Sequence, residues 1–126
     1  KAWRATDIAR APLLQQSTRP DAWRQWFDVF AVEAPDALHG PRYELFSMLA
    51  SAAVCGIGVA LMPAMLVQAE LARNDLVILC NRPARSRRSY CFVSPESAEP
   101  ATALSGFVDW LQDEIAADAL CAPKRG

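Results

Sequence analysis

Apolar positions along the chain fall in short runs whose period keeps changing. Leu13 and Leu14 open a run through Gln15, Gln16, Ser17 and Thr18 that predicts a strand. Thr18 is the expected N-cap of the helix that follows, with Pro20 tolerated in the first turn and Asp21 suited to the positive helix end. Trp23, Trp26, Phe27 and Phe30 then recur at spacings of three and four, which places an aromatic stripe on one helical face. Such a stripe reads as core, with Trp23 the position nearest the strand end and so the one placed to face a ligand.

Residues 33–41 hold two prolines and a Gly-Pro pair, which predict a loop leading to a short strand over 42–45. An alanine-rich helix is expected over 47–55, with Met48, Leu49 and Ala52 on its buried face and Gly56 ending it in a left-handed cap. Residues 59–62 read as a buried strand. Pro63 opens a helix through Leu66, Ala69, Glu70 and Leu71 that Asn74 closes, and residues 76–80 read as the next buried strand. A polar hinge follows over 81–89, then a strand over 90–94. From about Ala101 a long amphipathic helix carries Leu104, Phe107, Val108, Leu111 and Ile115 on one face, before a frayed tail over 121–126. Short apolar strands alternating with helices predict a parallel-type α/β sheet covered on both faces.

Composition narrows the function classes. With 126 residues, 52% of them hydrophobic, 21% charged and a net charge of −1, the chain reads as one globular unit with no demand for an oppositely charged partner. Arg82, Arg85, Arg87 and Arg88 form a local basic cluster that reads as a solvated loop, not a nucleic-acid surface. Cys55, Cys80, Cys91 and Cys121 never form a Cys-x-x-Cys pair, so they are read as small buried residues in a reducing cytoplasm, with no metal site. The apolar stretch over 48–67 is interrupted by Ser51, Gly56, Gly58 and Pro63, which argues against a membrane span, and no signal peptide is visible.

Candidate chemistry is sparse. His39 is the only histidine and sits in a Gly-Pro loop without a neighbouring nucleophile, which gives no catalytic reading. Gly56-Ile57-Gly58 follows a helix and precedes a strand, the reverse of a dinucleotide-binding turn, so these glycines read as a helix stop and a tight strand entry. A binding site at strand ends and helix starts remains, since exposed amides and the helix dipole favour an anionic group there. Ser17 and Thr18 stand at the first such junction, Tyr43, Glu44, Phe46 and Ser47 at the second, and Met62-Pro63 at a third. The hydroxyl residues serve equally as helix caps or as ligand contacts, and Phe46 favours core packing.

Leu13-Leu14, the Arg19-Pro20-Asp21-Ala22-Trp23 turn, Gly40-Pro41-Arg42-Tyr43, Ala52-Ala53, Gly56-Ile57-Gly58-Val59-Ala60-Leu61 and Glu70-Leu71-Ala72 together resemble the effector-binding domain of the LysR family. The series continues in order with Leu76-Val77, Tyr90-Cys91-Phe92-Val93, Pro95-Glu96 and Phe107-Val108-Asp109-Trp110-Leu111, and is most similar to the glycine-cleavage-activator type. The resemblance implies a periplasmic-binding-protein-like, Rossmann-type α/β sandwich in a ligand-sensing fragment of a bacterial transcription regulator, with no catalytic residue, metal or cofactor. It implies a connector over 1–12, most of the second effector subdomain over 13–83, and a hinge with the returning strand and helix of the first subdomain over 84–126. The rest of the first subdomain would lie in a longer gene product, leaving the returning strand with unpaired edges that dimerisation can cover.

By the same resemblance, Ser17, Thr18, Trp23, Tyr43, Phe46, Ser47 and Pro63 form one wall of an effector cleft for a small anionic metabolite. A homodimer or tetramer is implied, reaching DNA through an N-terminal helix-turn-helix absent from this chain, in the cytoplasm and without a membrane role. The alternatives from other classes are a periplasmic-type solute-binding module and, with less weight, a small α/β enzyme.

Overall fold

A computed structural model of the chain describes residues 2–85, 91–93 and 102–117. They belong to two compact units, Lys1–Arg85 and Ser86–Gly126. In the first unit the order is α1 (Ala5–Ile8), β1 (Leu13–Gln16), α2 (Ala22–Val29), β2 (Arg42–Tyr43), α3 (Phe46–Val54), β3 (Val59–Ala60), a 3-10 turn (Ala64–Leu66) and α4 (Gln68–Ala72). The three strands form a parallel sheet in the order β2-β1-β3, with Gln15 and Gln16 opposite Arg42 and Tyr43, and Leu13 and Leu14 opposite Val59 and Ala60.

This order determines which face each helix covers. The β1-to-β2 connection moves one way along the sheet and the β2-to-β3 connection moves back across β1, so right-handed crossovers put α2 and α3 on opposite faces. Side chains of β1 alternate accordingly. Leu13 joins Ala5, Ile8, Trp23, Trp26, Phe27 and Ala37 on one face, with Val59 packed beside them. Leu14 joins Leu49 and Ala52 on the other, with Tyr43, Phe46, Ala60 and Met62 around them. All four residues of β1 are buried, as befits the central strand of a sheet covered on both sides.

The aromatic stripe is core, as its period predicts. Trp23, Trp26 and Phe27 are buried, and Phe30 packs against them half-buried. Trp23 stacks on Phe27 at 5.7 Å, and Trp26 meets Phe30 edge-on at 4.7 Å. Each buried aromatic contributes about 1.5–3 kcal/mol by leaving water. Both indoles are also satisfied, Trp23 donating to the Leu14 carbonyl at 2.9 Å and Trp26 to that of Arg82 at 3.3 Å. The Arg82 guanidinium lies 4.2 Å from the Phe30 ring, so this arginine lids the cluster instead of belonging to a merely solvated loop. Arg87 and Arg88 lie outside the described residues.

Helix ends follow the local chemistry closely. Gly56 has φ +72° just past α3, while its amide donates to Ala53 and that of Ile57 to Ala52, the paired bonds of a Schellman stop. Asn74, at φ +60°, ends α4 in the same left-handed region. Gly58 is needed for approach: a Cβ there would lie 2.5 Å from the Pro12 carbonyl oxygen.

Several expectations are corrected. Thr18 does not cap the aromatic helix. The strand ends at Gln16, the Arg19 amide turns back to the Gln16 carbonyl, and α2 starts only after Asp21, which makes no side-chain cap bond. Residues 76–80 form no strand. The Trp3 amide reaches the Leu79 carbonyl at 2.9 Å, but one bond is not a ladder, and Val77 and Ile78 are exposed. The strands expected over 42–45 and 59–62 shrink to two residues each. Within residues 1–12, Ala5 and Ile8 of α1 are buried and join the core. Cys55 and Cys91 are exposed and Cys80 is half-buried, all as free thiols, while Cys121 lies outside the described residues. Cys55 caps the end of α3, where the helix runs into solvent.

In the second unit, α5 spans Thr102–Ala117. Leu104, Val108 and Leu111 are half-buried at helical spacing, whereas Phe107 and Ile115 are exposed. Phe107 packs at 6.0 Å from Phe92 and 5.7 Å from Trp110. Of the strand expected over 90–94, residues 91–93 carry no strand structure, and Tyr90 and Ser94 lie outside the described residues.

Candidate functional site

In a parallel sheet, every strand delivers the chain to the same edge, and here that edge gathers most of the residues singled out by the sequence. β1 ends at Gln16-Ser17, β2 at Tyr43-Glu44, and the chain leaving β3 reaches Met62-Pro63. The Ser17 amide donates to the Tyr43 carbonyl at 2.9 Å, which ties the first two strand ends together. Ser17, Thr18 and Ser47 are exposed, while Tyr43, Phe46 and Pro63 are half-buried. Trp23 differs. It is 3% exposed, packed inside the aromatic cluster with its indole N–H already bonded, so it supports this edge from behind.

The start of α3 gives the edge its electrostatic character. Its N-cap is Leu45, whose aliphatic side chain offers the first-turn amides no capping bond. Ser47 does not supply one; its carbonyl instead accepts the Ser51 hydroxyl at 2.9 Å within the helix. Arg19, on the turn after β1, holds its guanidinium 5.3 Å from the Phe46 ring centroid and has no carboxylate partner among the described residues. First-turn amides, the positive helix end and an unpaired guanidinium together favour an anion, opposed by the exposed carboxylate of Glu44.

Two buried glutamines at the end of β1 are not singled out by the sequence pattern. Gln15 points to the aromatic face, where its amide donates to the carbonyls of Ala37 at 3.2 Å and His39 at 2.8 Å and so pins the loop before β2. Gln16 points the other way. It is 7% exposed, and its Oε1 is buried without a hydrogen-bond partner. An unpaired buried acceptor of this kind costs about 1–3 kcal/mol. The available signal was the pair of polar residues ending an otherwise buried strand, and Arg19 was legible only as part of a turn motif.

Elsewhere the chemistry is ordinary. His39 pairs with Asp36 at 3.1 Å on the surface. Arg73, exposed at the end of α4, has its pKa raised by its hydrogen bond to Asp75. An open depression lined by Thr6, Arg10, Val32, Glu33 and Asp36 shares no residue with the strand-end edge. Among the described residues no group of histidine, cysteine and acidic side chains could hold a metal, and no helix is long and apolar enough to cross a membrane.

Comparison with known proteins gives a consistent set of matches. The family model of the LysR substrate binding domain matches residues 1–116. The chain is 29% identical over 112 residues to the HTH-type transcriptional regulator TrpI of Pseudomonas aeruginosa, covering 89% of this chain and 37% of that protein. It is 29% identical over 111 residues to the HTH-type transcriptional regulator PerR of Escherichia coli, covering 86% and 37%. It is 26% identical over 112 residues to the glycine cleavage system transcriptional activator of the same species, covering 89% and 36%. The chain thus spans little more than a third of these relatives. No solved structure matches it.

Proposed function

Because the chain belongs to the LysR substrate-binding domain family, we propose that it is the ligand-sensing part of a bacterial LysR-type transcription regulator. In this reading residues 13–83 are most of the second effector subdomain, and residues 84–126 carry the hinge and the returning strand and helix of the first. The single observation that carries the reading is the strand-end edge, where the first-turn amides of α3 and Arg19 face the same junction. A ligand bound there needs a second wall, which a bilobed periplasmic-binding-protein-like domain supplies from its other subdomain.

The effector is a small anionic metabolite. Ser17, Thr18, Tyr43, Phe46, Ser47 and Pro63 contribute its wall, with Trp23 holding that wall in place. Binding across the cleft changes the angle between subdomains, and a cytoplasmic homodimer or tetramer converts that change into a new spacing of its DNA-binding heads. The reaction class is therefore recognition, not catalysis, in keeping with relatives named as transcription regulators.

The test is the complete gene product. An upstream segment encoding a helix-turn-helix is expected, with a promoter reporter that responds to a carboxylate ligand and loses the response in Arg19→Ala. A secretion signal in place of the helix-turn-helix would instead make the protein a solute-binding module.

A further inference from the structure

The unpaired Gln16 acceptor narrows the ligand class, in an argument that rests on the effector reading above. β1 alternates faces, and Gln16 follows Leu14 onto the side covered by α3, where Leu14 packs with Leu49 and Ala52. Gln16 is also registered against Tyr43, and Tyr43, Phe46 and Met62 belong to that same cluster. Its side chain therefore sits at the final level of the sheet, on the face from which α3 starts. A carbonyl oxygen buried there accepts hydrogen bonds and cannot donate them. The same strand-end edge also carries groups of the opposite kind, the first-turn amides of α3 and the Arg19 guanidinium.

We infer that Gln16 is a specificity residue that selects a carboxylate carrying an N–H or O–H donor next to its acid group, as in an α-amino acid or an α-hydroxy acid. The carboxylate lies toward the α3 amides and Arg19, and the donor fills the empty valence of Gln16 Oε1. A simple carboxylate of the same shape leaves that oxygen unpaired and binds more weakly. Discrimination by a buried polar partner is larger than discrimination by shape, because the mismatch strands a desolvated group.

The experiment measures binding to the complete gene product by calorimetry and thermal melting, using matched probes: L-alanine, L-lactate and propionate, then L-phenylalanine, phenyllactate and phenylpropionate. The expected result is a preference of roughly tenfold or more for a donor-bearing member of a series over its donor-free partner. Gln16→Met should abolish that preference while melting, without ligand, no lower than the parent. Gln16→Glu distinguishes the two donors, strengthening an ammonium ligand and weakening a hydroxyl one. Equal binding of donor-bearing and donor-free carboxylates, or a preference that survives Gln16→Met, overturns the inference and leaves the effector reading intact. If no carboxylate binds at all, the effector reading falls and takes the inference with it.

Discussion

Single residues in this chain show where backbone and side-chain demands conflict. Ala31 ends α2 at φ +50°, and the amides of Ala31 and Val32 donate to Asp28 and Phe27 in the same paired pattern that Gly56 makes after α3. An alanine in the left-handed region costs about 1–2 kcal/mol, which glycine avoids, although glycine also gains freedom in the unfolded chain. Ala31→Gly should therefore raise the unfolding free energy by about 0.5–1 kcal/mol net, read from the denaturation midpoint. Gly58→Ala should act in the opposite direction. Its Cβ would meet backbone at Pro12 and the Leu14 side chain, so β3 must retreat from β1 at a cost of about 1–3 kcal/mol. A melting temperature unchanged by Gly58→Ala would contradict that close approach. Trp23→Phe keeps the stacking on Phe27 but leaves the Leu14 carbonyl without its indole donor, a loss of about 1 kcal/mol beyond the change in buried area.

At the level of elements, β1 organises the first unit because it pairs on both sides and is buried on both faces. Its two glutamines divide the work. Gln15 fixes the loop that brings the chain to β2, so Gln15→Leu should speed hydrogen exchange at the Ala37 and His39 amides while leaving α3 protected. Equal acceleration in both places would mean that Gln15 supports the whole sheet and not the loop. Element type was legible wherever a strong period or a cap stood in the sequence: the aromatic stripe of α2, the glycine stop of α3, the asparagine stop of α4 and the long α5. Element length was not. Residues 76–80 have the composition of a buried strand, yet a strand forms only beside a partner backbone, and no local pattern records whether one is present.

For the whole molecule, the four tryptophans separate into two classes. Trp23 and Trp26 are buried, at 3% and 5% exposure, whereas Trp3 and Trp110 are exposed at 39% and 54%. Iodide quenching of native fluorescence should therefore be biphasic, and Trp110→Phe should remove a quenchable component without altering the protected one. Uniform quenching of all four would contradict the burial of the aromatic core.

The sequence by itself determined the family, the α/β alternation, the buried aromatic helix and the helix stops, because period, capping chemistry and glycine placement act within a few residues of one another. It also put Ser17 and Tyr43 at strand ends, Phe46 and Ser47 at the start of α3 and Pro63 in the chain leaving β3, since parallel strands must all end at one edge. Only the tertiary structure decided the rest. Trp23 turned inward because the Leu14 carbonyl lay within reach of its indole. Arg82 covered Phe30 because a segment 52 residues further along the chain folded back over α2. Gln16 became a buried, unanswered acceptor because α3 closed over one face of β1. Burial and pairing of this kind depend on which distant backbone arrives, and that is a property of the packed chain, not of any local run within it.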